Sequence, residues 1–277
     1  MTIKSKWGRI VVRWVKILAG LYLALLMLVY FFQRGMMYHP DRFSEADSIK
    51  VAAARGFVPW KNSAGLIIGW KLSSGGAVPH DRILIVHGNA GCALDRMDYA
   101  EGLRSAGAFD IYLLEYPGYG SRPGAASEKS LYQAADETMG LLKTEGPVFL
   151  IGESLGTGVA AYLAGKFPGE IRGLLLIAPY NNMTDVARHH MPIFPVRWML
   201  WDKFPSATYL NKYHGPVGVS LAGADEVVPN RFGRKLFDGY AGPKKLWIAP
   251  GVGHNDLQNQ PPAWWQEAVN FWRMNAK

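Results

Sequence analysis

Six short apolar runs, each closed by glycine or proline, set what this chain can fold into. Residues 83–86 end at His87-Gly88, residues 111–116 at Pro117-Gly118 and residues 148–151 at Gly152. Residues 174–177 end at Ala178-Pro179, residues 217–221 lead to Gly223, and residues 246–248 end before Pro250-Gly251. Strands with no polar alternation are buried on both faces, the condition of a parallel sheet covered by helices. The intervening segments supply those helices: residues 127–143 open on a capping serine, and residues 155–167 are rich in Ala and Gly. Residues 262–274 set Trp264, Trp265, Ala268, Val269 and Trp272 on one stripe. The expected class is therefore α/β: an open, mostly parallel sheet with helices on both faces, begun by an antiparallel hairpin over residues 57–72.

A second feature precedes this body. Residues 17–32 carry no charge and extend roughly 24 Å as a helix; carried back to Ile10, the helix is long enough for a hydrocarbon core near 30 Å. A core helix would show a polar face, and this run has none. A cleaved signal would be followed by small residues, whereas Gln33-Arg34-Gly35-Met36 follows. The expectation is an uncleaved transmembrane anchor, with residues 1–36 as basic tail and anchor and residues 37–277 as one domain. Lys4, Lys6, Arg9, Arg13 and Lys16 precede the run and only Arg34 follows closely. The positive-inside rule then puts the N-terminus in the cytoplasm and the body outside it, in the periplasm for a bacterium.

The same residues dispose of a nucleic-acid reading. The formal charge is +8, but those six N-terminal cations leave 24 basic residues against 22 acidic ones elsewhere. The lone cysteine, Cys92, rules out an intramolecular disulfide and a cysteine-based metal site.

Gly152-Glu153-Ser154-Leu155-Gly156 joins a strand to a helix. A Gly-x-Ser-x-Gly match alone is weak, with about 0.1 expected by chance in such a chain. Its setting sharpens it, because glycines on either side let other backbone approach a strained nucleophile. A serine attacks only when a histidine removes its proton and an acid orients that histidine. Asp225 follows the strand at 217–221 and His254 follows the last strand, both at carboxyl ends where open sheets build sites. Glu226 and Asp256 stay open as alternative acids. His39, His80, His189, His190 and His214 lack the loop position of His254, and His87 reads as structural. The oxyanion donors are expected to be the amides of Leu155 and Asn89, the latter in His87-Gly88-Asn89-Ala90-Gly91.

Taken with Tyr116-Pro117-Gly118-Tyr119-Gly120-Ser121 and Asp225-Glu226-Val227-Val228-Pro229, these motifs resemble the α/β-hydrolase superfamily. Within it, the chain is similar from about Phe31 onward to the Bem46-like branch of membrane-anchored serine hydrolases with short lids. The resemblance implies an eight-stranded α/β-hydrolase fold, Ser154, Asp225 and His254 as a triad, and no cofactor. It implies a small-molecule acyl substrate, an ester or thioester, cleaved through an acyl-serine. A serine aminopeptidase and a non-catalytic membrane-anchored scaffold are the alternatives.

Residues 180–214 exceed a plain crossover between strands and are expected to form a short lid near Ser154. Met183, Met191, Phe194, Trp198, Met199 and Trp201, with Phe204, Tyr209 and Tyr213, would give it an apolar wall suited to a lipid-like acyl chain. The anchor adds membrane lipid as a second partner.

Overall fold

The computed structural model describes residues 3–75 and 81–276; His80 lies outside them. Helix α1 spans Ile3–Met37 and is followed by α2, Glu45–Ala53. Strands β1 (Val58–Lys61) and β2 (Ile67–Leu72) form the expected hairpin. Then come β3 (Asp81–Val86), α3 (Met97–Ala106), β4 (Phe109–Leu114), α4 (Glu128–Leu142), β5 (Val148–Glu153), α5 (Leu155–Lys166) and β6 (Ile171–Ile177). The insertion carries α6 (Met183–His190), α7 (Val196–Met199) and α8 (Ser206–Leu210). The chain closes with β7 (Val217–Ala222), α9 (Asn230–Gly239), β8 (Lys244–Ala249) and α10 (Pro262–Asn275).

Among the described residues the strands form one eight-stranded sheet in the order β8-β7-β6-β5-β3-β4-β2-β1. All neighbours pair in parallel except β4 with β2 and β2 with β1. The period-two alternation of a strand explains why the apolar runs are continuous. Leu84, Val86, Leu150 and Leu176 face a core shared with α4, α5 and α9, whereas Ile83, Ile85, Ile151 and Ile177 face one shared with α3 and α10. Trp265, Ala268, Val269 and Trp272 of the predicted stripe are all buried in the second core.

The sheet reverses its winding direction between β3 and β5, so loops after neighbouring strands diverge and leave a crevice at their carboxyl ends. Ser154 sits in that crevice. The insertion divides in two. Its second half is core: Phe204 and Tyr213 are buried, and Gly165 of α5 lies so close to the Tyr209 backbone that no side chain fits between them. Only α6 and α7 overlie the site.

Helix α1 is long and apolar enough, by length and composition, to cross a membrane over Trp7–Met37. Leu18, Leu21, Phe31 and Phe32 all stand exposed on it. Its C-terminal end, however, packs on the body, with Gln33 and Tyr38 buried. Beyond it, His39–Pro40 pairs in parallel with Ala90–Gly91, so the chain leaving α1 is stitched to the loop after β3.

Candidate active site

The turn from β5 to α5 is built by what the glycines lack. A side chain at Gly156 would overlap the carbonyl oxygens of Val86 and His87, and one at Gly152 would lie 2.7 Å from the Gly156 carbonyl. With both positions bare, β5 and α5 close on β3, and Ser154 between them is held at φ 49°, ψ −118°. A non-glycine residue at positive φ is uncommon and is retained only where its surroundings over-determine it. Here the Ser154 amide donates to Ile177 O over 2.8 Å, and the Ser154 carbonyl accepts from the Thr157 amide (2.9 Å) and hydroxyl (2.7 Å).

The structure brings Ser154, His254 and Asp225 together. His254 Nε2 lies 3.0 Å from Ser154 Oγ, and His254 Nδ1 lies 2.7 Å from Asp225 Oδ2. Asp225 is itself fixed: its Oδ1 accepts from the amides of Val227 (2.9 Å) and Val228 (2.7 Å). Its side chain is 1% exposed, so the carboxylate meets His254 out of bulk water, where a charged partner counts for more. Glu226 and Asp256 are exposed and make no bond to His254.

Asn89 and Leu155 line the same cavity as Ser154. Leu155 opens α5, so its amide has no acceptor within the helix and points with the positive end of the dipole. The Asn89 peptide is clamped through its carbonyl, which accepts from the His39 amide (2.8 Å) and the Tyr119 hydroxyl (2.7 Å). Its side chain donates to Met37 O at the end of α1 over 2.9 Å.

Behind the turn, the pairing of Glu153 escapes sequence reasoning, whereas His87 is structural as its sequence position implied. Burial raises the Glu153 carboxyl, but the Arg96 charge and hydrogen bonds from Arg96 and Tyr99 outweigh it and leave Glu153 below its ordinary range. Glu153 is thereby consumed as a brace for the residue before Ser154. His87 is buried, with Nδ1 2.9 Å from Gly88 O, and takes no part in the Ser154 contacts. Cys92 is buried, and desolvation, with Glu115 and Asp95 nearby, pushes its thiol up to about 12. It is an inert packing residue.

A cavity of about 370 Å³ opens beside Ser154. Met183, Met191, Phe194 and Met199 form its wall on the insertion side, as the composition of that segment implied. Trp198 does not: it is 81% exposed and points away. Trp201 packs edge-on against Tyr30 of α1. The opposite wall was not foreseen, since Val29, Gln33, Met36 and Met37 all come from α1. A helix apolar on every side gives no sequence signal for the side that packs.

Comparison with known proteins agrees with this architecture. The α/β hydrolase fold family matches residues 81–200. An uncharacterized protein of Mycobacterium tuberculosis is 33% identical over 250 residues, which cover 87% of each chain. The alpha/beta hydrolase domain-containing protein 17B of Xenopus laevis is 31% identical, over 64% of this chain and 61% of that one. Among solved structures, an esterase of Pyrococcus furiosus superposes with a TM-score of 0.63 at 14% identity, covering 87% of this chain and 99% of the esterase. The chain belongs to the α/β-hydrolase superfamily.

Proposed function

We propose that the chain is a membrane-anchored serine hydrolase of the Bem46-like branch that cleaves an acyl ester or thioester. The observation that carries this reading is His254, bridged between Ser154 Oγ at 3.0 Å and Asp225 Oδ2 at 2.7 Å. In this reading Ser154 Oγ attacks the acyl carbon while His254 Nε2 takes the hydroxyl proton. Asp225 accepts the Nδ1 proton's hydrogen bond, which orients the ring and stabilises its charged form. The amides of Asn89 and Leu155 receive the oxyanion, whose charge develops at the N-terminus of α5. His254 then returns the proton to the departing alcohol or thiol, leaving acyl-Ser154. A water, deprotonated by the same histidine, releases the acid and restores the serine.

The apolar cavity favours an acyl group over a peptide amine. An aminopeptidase needs an acidic group to receive the free amine; Glu153 is paired with Arg96, and Glu226 stands exposed away from the cavity lining. For topology, residues 1–36 serve as tail and anchor with the N-terminus cytoplasmic, and residues 37–277 work outside the cytoplasm. A reporter fused after Lys277 should read as extracytoplasmic.

The deciding experiment is covalent labelling of the full chain with a fluorophosphonate in detergent micelles. The parent should label at Ser154, and Ser154→Ala should not label. A label on another residue, or none on a folded parent, would overturn the reading.

A further inference from the structure

The insertion does not stop where α1 meets the body; it climbs the helix. Gln33 Nε2 donates to Met199 O at 3.2 Å, and Gln33 Oε1 accepts from the Trp201 amide at 2.8 Å. Farther along, the Tyr22 hydroxyl donates to the Ile193 carbonyl over 2.6 Å. Tyr22 stands twelve residues before Arg34, about 18 Å along a helix axis.

That distance fixes a depth. Lys16 closes the uncharged part of α1 at one end and Arg34 at the other, and burying either charge in hydrocarbon is costly. Residues 17–33 therefore lie in the hydrocarbon, with Arg13 and Lys16 snorkelling to the headgroups, which makes Tyr22 a residue of its interior and carries Ile193 in with it. The surface there suits lipid: Ile193 is 65% exposed and Trp198 81% exposed. The cavity reaches into the same zone. Its α1 wall runs from Met37, beside the Asn89 loop, to Val29, about 12 Å along the axis and about 7 Å past Arg34.

We propose that the loop between α6 and α7 is sunk into the hydrocarbon at Ile193, with Trp198 of α7 nearer its edge, where the cavity opens in the leaflet nearer the body. The cavity is filled sideways from that leaflet, between α1 and the insertion, by an acyl chain of a bilayer lipid. The anchor is then one wall of the acyl site, and the chain of a membrane lipid reaches Ser154 without crossing water. This deepens the hydrolase reading by naming a membrane lipid ester as the substrate class, but binding of the chain does not require turnover.

The test uses the full chain in phosphatidylcholine vesicles. A nitroxide is placed on Ile193→Cys, with Asp238→Cys on the exposed end of α9 as the aqueous reference; buried Cys92 stays unlabelled. Oxygen should relax the label at 193 more than a water-soluble nickel complex does, and the order should reverse at 238. Equal nickel access at the two positions would overturn the embedding. In a second arm, a phosphatidylcholine with a diazirine at one acyl terminus is photolysed in the same vesicles. Adducts are expected on Met36, Phe194 or Met199 besides the outer face of α1. Adducts confined to Leu18, Leu21 and Phe31 would overturn access to the cavity. Fluorophosphonate labelling of the same samples separates the two ideas: cavity adducts without a labelled serine would sink the hydrolase reading and leave the lipid site standing.

Discussion

Arg34 grips Asp202 with two N–H groups, Nε to Oδ2 at 2.9 Å and Nη2 to Oδ1 at 3.1 Å, and locks the last turn of α1 to the insertion. The Tyr38 hydroxyl donates to the same carboxylate at 3.0 Å. Asp202 is 5% exposed at its side chain and Arg34 44%, so the pair is half in solvent. Arg34→Met strands a buried carboxylate on one donor and should cost about 1.5–3 kcal/mol, the range for hydrogen bonds to charged groups. In detergent micelles this should lower the melting temperature by several degrees. Arg34→Met with Asp202→Leu should recover part of the loss, because exchanging both partners for apolar groups removes the unpaired charge. An unchanged melt in Arg34→Met would mean that the latch contributes nothing.

Asp225 offers a sharper test of the proposed chemistry. Asp225→Asn keeps an oxygen for the amides of Val227 and Val228, so the loop should fold. It loses the carboxylate that holds the His254 tautomer, and ester turnover should fall on the order of 10⁴-fold, as for other triad aspartates changed to asparagine. Glu226→Gln and Asp256→Asn, both at exposed positions, should stay within about tenfold of the parent, well short of that triad loss. A larger loss in Asp256→Asn than in Asp225→Asn would misassign the acid.

The sheet and the Ser154 and His254 positions were legible because their signals are local. A buried strand has to be apolar throughout, and a strained turn between β5 and α5 requires glycine on either side of the serine. The acid was less legible: only the bonds from Val227 and Val228 and the contact with His254 distinguish Asp225 from its neighbour Glu226. Long-range pairings were not legible at all. Nothing in residues 17–32 marks Val29 as cavity wall, because every side of that run is apolar and the choice is made by the insertion. Arg96 with Glu153, 57 residues apart, is equally silent. Trp198 failed for the opposite reason: an aromatic in a lid suggests packing, yet this one is 81% exposed.

The glycines of α5 and α4 should respond in opposite directions to the same substitution. Gly156→Ala meets the Val86 and His87 carbonyls, both backbone atoms that cannot swing aside. It should force α5 away from β3 and destabilise by about 1–3 kcal/mol or more, with loss of fluorophosphonate labelling. Gly140, exposed on α4, has no atom within 4 Å of an added Cβ. Gly140→Ala should therefore stabilise by about 0.5–1 kcal/mol through helix propensity. Thermal melts of the two variants check both signs; a neutral Gly156→Ala would show that the approach of α5 to β3 is loose.

The cavity wall predicts how turnover should depend on acyl length. The cavity of about 370 Å³ is lined mainly by Met and aliphatic side chains, with Phe194 among them. Each methylene buried there contributes roughly 0.8 kcal/mol, or up to about fourfold in kcat/KM if the gain is realised in the transition state. With p-nitrophenyl esters in detergent, kcat/KM should rise from acetyl to medium-chain acyl groups. Met199→Ala and Phe194→Ala remove parts of the wall and should flatten the rise. Trp198→Ala should keep it, since that ring is 81% exposed and outside the cavity. Narrowing the wall by Val29→Trp should set an earlier maximum, because Val29 closes the α1 end of the cavity, farthest along the helix from Met37. Acetyl esters as the best substrates, or a flat series in the parent, would remove the acyl assignment of the cavity. A rise that Val29→Trp does not shorten would remove α1 from its wall.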